Sequence, residues 1–417
     1  MAGCSTTMEN DKILPDLFKT EYRKIVSVLY RHFGFEHPEI AEDIASDTFL
    51  TAAETWGLKG FPDNPVGWLY RVAGNKAKDH LKHSSIFDQK VTPGLQTEQS
   101  GVDEPELDLS DKNIFDSQLQ MLFAICNPVI PAEAQIGLAL RILCGFGIDE
   151  IADAFLTNKE TINKRLFRAK EKLREEKVKI GFPENTQLGS RIANVLKTLY
   201  LLFNEGYYSS GNDNALRKEL CLEAMRLNYF LVESEFCDLP EVNALLALMC
   251  FHTSRFDARV DKNGEMIRYH EQDTRLWNKE LIQKGEFYLN RASKGSKLSK
   301  YHCEASIAYW HTIKQDTHEK WDNILQLYNR LLVIEYSPIA ALNRTYALSK
   351  VYGKEAAIIE AEKLQLNNNY LYFLLLGNLY RNIDNQQAVN YLHSALKLAR
   401  TAGEKKLIKK DIDSLVI

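Results

Sequence analysis

The segment 147–174, GIDEIADAFLTNKETINKRLFRAKEKLR, constrains this chain more than any other. It reads as a short apolar helix, a tight break and a second helix that carries two different stripes. On the second helix Ile162, Leu166, Ala169 and Leu173 recur at helical spacing, which makes a buried seam. Thr161, Arg165, Arg168 and Lys172 recur on the neighbouring face, with Lys164 beside them. One face therefore packs, while the next offers cationic forks and a hydroxyl. A helix in a DNA major groove needs that combination, because Arg reads guanine edges and Lys or Thr holds phosphates. Residues 159–179 hold nine Lys/Arg against four Glu, a local balance of +5 on a chain of net charge −4. A solvated charged face is the plainer alternative, and the helix and break ahead of it favour a helix-turn-helix.

At 417 residues the chain has room for two to three domains, each able to bury its own core. Low Pro (11), modest Gly (21) and abundant Leu, Ala, Glu and Lys point to an all-α fold. The near-neutral charge gives no global nucleic-acid signature, so any basic surface is local. Seven cysteines lie far apart with no C-x-x-C pair, which reads as reduced thiols and neither a disulfide framework nor a metal site. No signal-type apolar region opens the chain, and no apolar run approaches the roughly 18 residues a membrane span needs. The expectation is a cytoplasmic protein with no membrane association and no cofactor.

Four segments separate by composition. Residues 1–87 are helical from about Leu14, with breaks at 34–38 and 57–65. Residues 88–116 contain Pro93, Gly94, Gly101 and Pro105, and seven acids against one Lys fall between Glu98 and Asp116. Such a stretch reads as an acidic flexible linker. Residues 117–182 form a second compact helical unit that holds the helix-turn-helix. Residues 183–417 are Tyr- and Leu-rich and end in a repeat. A shift of 34 residues superimposes Leu342 on Leu376, Tyr346 on Tyr380, Ile358 on Leu392, Ala361 on Ala395 and Leu364 on Leu398. That is the tetratricopeptide period, with Ala and Tyr where helical hairpins pack closely. Trp321, Ile324, Leu325 and Tyr328 suggest an earlier, looser unit, and an ordinary helical bundle is the alternative.

The helix expected at 39–56 carries five acids and no basic residue. Asp43, Asp47, Leu50 and Glu54 line one face, while Ala41, Ile44, Ala45, Thr48 and Ala52 line the packed side. Such a face repels DNA and suits a basic protein surface, unless it is simply solvated. After FPDNP comes a helix at 66–83 on which Arg71, Asn75, Lys78 and Lys82 recur beside Trp68, Leu69 and Tyr70. A basic stripe with rings nearby suits a nucleic-acid strand whose bases stack. Taken singly, Trp68 and Tyr70 read more readily as core.

Three motifs, in this order, carry a resemblance: AEDIASDTFLTAAETW, FPDNPVGWLYRVAGNKAKDHLK and ICNPVIPAEAQIGLALRILCGFGIDEIADAFLTNKETINKRLFRAKEKL. The chain resembles bacterial RNA polymerase sigma factors of the extracytoplasmic-function group, in the subgroup with a C-terminal tetratricopeptide-like extension. LYLLFNEGYYSS, PEVNALLALMCFHTSRFDAR and SPIAALNRTYAL look like that extension. The resemblance implies two small helical sigma-type domains followed by a helical-hairpin domain. It implies that Asp43, Asp47 and Phe49 dock on core RNA polymerase. It further implies that Trp68, Arg71, Asn75, Lys78 and Lys82 engage the −10 promoter element, and that Thr161, Lys164, Arg165, Arg168 and Lys172 serve at the −35 element. A regulatory protein or an intramolecular contact would act through the C-terminal domain. Two departures stand out. The turn has Leu156-Thr157-Asn158 in place of the usual Gly, and the subgroup's Cys-His-Pro is Cys126-Asn127-Pro128, which weakens any metal or redox role there.

Other readings remain. A polymerase-independent helix-turn-helix regulator with a repeat sensor explains the 147–174 segment but leaves the acidic helix without a task. An adaptor built on the repeats is a second. An enzyme is the third, and the lack of phosphate-loop, dinucleotide and H-E-x-x-H motifs argues against catalytic residues.

Overall fold

The computed structural model describes residues 5–91, 107–208, 214–259, 261, 267–399 and 401–416. The described residues form helices and no strand. The chain divides into two compact units, Met1–Glu205 and Gly206–Ile417.

The first unit opens with α1 (Ser5–Phe33), α2 (Pro38–Lys59) and α3 (Pro65–Val91). Gly34, at φ 70°, ends α1 with its N–H on the Tyr30 carbonyl at 2.7 Å. The second break falls later than the composition suggests. Helix α2 runs through Gly57 to Lys59 and stops at Gly60, whose φ of 79° favours glycine. Just ahead of Pro65, the Asn64 carboxamide accepts the Gly67 N–H at 2.8 Å and so satisfies an orphan donor of α3. Tyr22, Ile25, Leu29, Ala41, Ile44, Ala45, Leu69, Ala73 and Ala77 are all buried in this part of the core.

Next come α4 (Asp111–Ile125), α5 (Ala132–Leu138) with a π turn at Ala139–Leu143, α6 (Ile148–Ala154), α7 (Lys159–Glu175) and α8 (Leu188–Tyr208). Both ends of the expected 88–116 linker are helical: α3 reaches Val91, and α4 starts at Asp111 behind the Ser110 cap. The middle of that linker lies outside the described residues. Helix α8 was expected to open the C-terminal domain, yet up to Glu205 it belongs to the first unit. Arg191 donates to the Phe123 carbonyl, and Thr198 donates to the Gln135 carboxamide at 2.6 Å. Ile192, Val195, Leu196 and Leu199 are buried. An amphipathic helix follows the apolar surface available to it, whichever side of a composition change it starts on.

The second unit holds α9 (Asn214–Glu233), α10 (Pro240–Thr253), α11 (Lys279–Ala292), α12 (Lys300–Trp310), α13 (His318–Ile334), α14 (Pro338–Tyr352), α15 (Lys354–Leu364), α16 (Tyr370–Tyr380), α17 (Asn385–Leu398) and α18 (Ala402–Val416). From α12 onward each helix packs on the next across a short turn, giving tetratricopeptide-like hairpins. Leu342 and Leu376, Ile358 and Leu392, and Ala361 and Ala395 are buried as repeat pairs. A Cβ on Gly377 would lie 2.7 Å from the Leu392 Cγ, so the α16–α17 pair depends on that missing side chain. Trp321, Ile324 and Leu325 of α13 join the same core, with Tyr328 partly buried against it.

Candidate nucleic-acid interface

Helix α7 buries Ile162, Leu166, Ala169 and Leu173, the seam its spacing predicts. The break before it holds without glycine: Leu156 takes a left-handed φ of 48° with its side chain 65% exposed. The Thr157 N–H closes the turn on the Ala152 carbonyl at 2.9 Å, and the Asn158 side chain caps α7 by accepting the Thr161 N–H at 2.8 Å. Thr161, Lys164, Arg168 and Lys172 stand exposed.

Their charges are not equally available. Lys164 pairs with Glu160 at 2.5 Å, and Lys172 pairs with Glu176 at 2.8 Å. Arg168 has no hydrogen-bond or ion-pair partner among the described residues. Arg165 departs from its expected role as an open reader. Its guanidinium is half-buried over the Phe155 ring at 5.4 Å and paired with Glu133 of α5 at 3.1 Å. Periodicity along one helix carries no information about an acid on another, so neither Glu133 nor Phe155 is legible from the pattern of α7.

On α2 the acids Asp43 and Asp47, with Leu50 and Glu54, are exposed opposite the buried Ala41, Ile44, Ala45, Thr48 and Ala52. Asp43 is unpaired among the described residues, while Asp47 lies 3.5 Å from Lys76 of α3. Phe49 differs from the expectation. It is 5% exposed, with its ring edge-on to Phe18 at 5.0 Å, so it supports the helix from behind. An aromatic side chain beside a small-residue seam gains more from that burial than from solvent.

On α3 Arg71, Asn75 and Lys82 are exposed and Lys78 is half-buried, along one line. Arg71 and Asn75 have no side-chain partner among the described residues. Trp68 is half-buried and edge-on to Trp56 at 5.3 Å. Tyr70 turns inward, donating to Glu21 at 2.6 Å, and burial together with that carboxylate pushes its phenol well above the usual range.

A further contact ties α2 to α7. Glu42 accepts from Tyr30 at 2.6 Å and from Lys170 at 2.5 Å, and neither Glu42 nor Lys170 belongs to the stripes read from sequence. At Cys126-Asn127-Pro128, burial pushes the Cys126 thiol to about 12, and Asn127 spends its side chain on the Val129 N–H at 3.1 Å.

A Sigma-70 region 2 family model matches residues 17–85, the span of α1 to α3. The RNA polymerase sigma-H factor of Pseudomonas aeruginosa is 27% identical over 168 residues, covering 39% of this chain and 84% of that protein. The RNA polymerase sigma factor YlaC of Bacillus subtilis is 25% identical over 175 residues, covering 41% of this chain and 96% of YlaC. The chain belongs to the RNA polymerase sigma factors. Its role is therefore in transcription initiation. Its extension is shared too. An uncharacterized protein of Rhizobium meliloti is 31% identical over 391 residues, 91% of each chain, and the two are members of one family. Residues 191–293 of the sigma factor match a family of unknown function (DUF6596). No helix among the described residues is long and apolar enough to cross a membrane.

Proposed function

We propose that this sigma factor docks on core RNA polymerase through Asp43 and Asp47 of α2, and that α3 engages the −10 element through Arg71, Asn75, Lys78 and Lys82. The −35 element is read by α7, with Arg168 and Thr161 foremost, Lys164 and Lys172 at phosphates, and Arg165 joining when Glu133 releases it. Phe49 and Trp68 hold these helices in shape. The unit after Glu205 controls activity, through a partner protein or through the same chain.

One observation carries the reading. Three helices of the first unit bury one face and leave on the other polar groups unpaired among the described residues: Asp43 on α2, Arg71 and Asn75 on α3, and Arg168 on α7. The signs divide as the task requires, with acid toward a basic protein surface and base toward DNA. Run-off transcription with purified core RNA polymerase and a promoter library tests it. Promoter-specific transcripts are expected. Duplex binding without any transcript would make the protein a polymerase-independent regulator instead.

A further inference from the structure

The second unit contains a buried arginine with no ion pair among the described residues. Arg255 follows α10, is 7% exposed, and has no carboxylate partner or side-chain hydrogen bond among the described residues; its Nε is buried and unsatisfied. Arginine is almost never buried that deeply without a partner, because desolvating the charge costs several kcal/mol. Its guanidinium lies 5.6 Å from the centre of Tyr269 and 5.9 Å from that of Trp277. Two more buried ring nitrogens nearby lack partners: Trp277 Nε1 and His311 Nδ1. The His311 ring lies 5.3 Å from Tyr269, and the Trp277 ring lies 6.3 Å from it, so the three rings form one cluster.

The surrounding charge is mostly positive. Lys314 and Lys320 lie 5.0 and 5.2 Å from the Tyr269 centroid, and Lys350 lies 5.5 Å from that of Trp321. The acid at this cluster, Asp316, is taken up by Trp321 Nε1 and by Lys350 at 3.2 Å. The two inner lysines are already fixed. Lys314 donates to the carbonyls of Tyr269, His270 and Gln272, and Lys320 donates to the Tyr269 hydroxyl at 3.1 Å and the Ile313 carbonyl at 2.6 Å. Burial, with Arg255 and Lys320 adding to it, holds His311 down to about 3, so it is neutral near pH 7 and can present an N–H. Arg255 is left as the open cation inside a frame that other groups keep rigid.

We propose that this cluster is a binding site for a small organic anion, whose carboxylate or phosphate group meets Arg255, Trp277 Nε1 and His311 Nδ1 while its body lies against Tyr269. The ligand is small because a group exposed at 7% admits the end of a molecule and not the surface of a folded protein. It is anionic because two buried donors of one cluster, Arg255 Nε and Trp277 Nε1, lack an acceptor among the described residues, and His311 Nδ1 joins them in the tautomer that carries its proton. An apolar wall with a few convergent polar groups is the usual make-up of such a site. The segment that carries Arg255, Tyr269 and Trp277 is also tied to α18 through Arg268 and Asp411 at 2.5 Å, so occupancy at the cluster bears on the far end of the same unit.

The test is thermal unfolding of the full-length chain with sodium phosphate, acetate, benzoate or phenyl phosphate, each against sodium chloride at equal ionic strength. A saturable rise in Tm with at least one probe is expected, and comparing benzoate with phenyl phosphate assigns the head group. Arg255→Met, which keeps bulk and removes charge, should abolish the rise. Arg255→Lys should weaken binding about tenfold or more, because the charge remains but the fork is lost. Quenching of tryptophan fluorescence by the same probe, weaker in Trp277→Phe than in wild type, gives a second readout on wild-type protein should Arg255→Met not fold. Equal Tm shifts in wild type and Arg255→Met, or no shift with any probe, would overturn the proposal and leave the rings as the sole partners of Arg255.

Discussion

Arg165 and Arg168 stand three positions apart on α7 and differ in what surrounds them. Arg168 has no partner among the described residues, so its guanidinium costs nothing to redirect toward a base or phosphate. Arg168→Ala is expected to weaken binding to a −35 duplex by roughly 1–3 kcal/mol if it reads a base, and less if it touches phosphate. Arg165 is held by Glu133 and Phe155, and Arg165→Ala should lower affinity less than Arg168→Ala while also lowering Tm. Glu133→Gln supplies the converse: it releases Arg165 and removes an acid beside the DNA face, so affinity should rise. Equilibrium binding to promoter and scrambled duplexes across salt measures all three, and a larger loss from Arg165→Ala would reverse the assignment. The heptad-like pattern made the buried seam and the exposed Thr161, Lys164, Arg168 and Lys172 legible before any coordinates. It did not reveal which cations are spent, because Glu133, Phe155 and Glu42 sit on other helices and share no period with α7.

At the scale of the element, α2 and the turn before α7 show two ways a sequence pattern meets geometry. The acidic face of α2 was legible as a stripe, and its exposure follows from Ala41, Ile44, Ala45, Thr48 and Ala52 filling the opposite side. Phe49 was not legible as core, since it sits between the two faces and only the neighbouring ring of Phe18 decides its direction. Asp43→Lys with Asp47→Lys should abolish co-purification with core RNA polymerase while far-ultraviolet circular dichroism stays helical. Recovery of polymerase at the wild-type yield would remove α2 from that interface. The turn gives a stability prediction. A left-handed non-glycine residue costs about 1–2 kcal/mol, and Leu156 loses little burial on removal because it is mostly exposed. Part of that gain is offset by the freer unfolded chain that glycine creates. Leu156→Gly is therefore expected to raise stability by up to about 1 kcal/mol in a denaturant melt, and a lower midpoint would mean that the leucine packs more usefully than its exposure implies.

At the scale of the whole molecule, two features bear on how the sigma factor works. The first is that α2 and α7 are joined through Glu42 and Lys170 within one compact unit. Elements at −10 and −35 lie roughly 25 base pairs apart, about 85 Å along B-form DNA at ~3.4 Å per base pair. With α3 at the −10 element and α7 at the −35 element, as proposed, the two contacts could not be made together while that ion pair holds, and binding both would require the pair to part. Dyes on Leu58→Cys and Phe167→Cys, two exposed positions in a chain whose six described cysteines are buried, should report high energy transfer in the free protein. Transfer should fall with core polymerase and promoter, and Glu42→Gln should lower it in the free protein; unchanged transfer in the complex would mean that α2 and α7 stay together. The second feature is where the extension begins. Composition placed its start near residue 183, but α8 packs on Phe123 and Gln135 and completes the first unit. A cut after Phe182 removes Ile192, Val195, Leu196 and Leu199 from that core, so the fragment 1–182 should melt well below the full chain. The fragment 1–208 keeps α8 and is the one that can test control by the extension. Its run-off transcription should differ strongly from that of the full chain. A loss would mean that the repeats help to assemble the polymerase complex; a gain, that they restrain it. Equal rates from a folded 1–208 would separate the repeats from promoter-dependent transcription altogether.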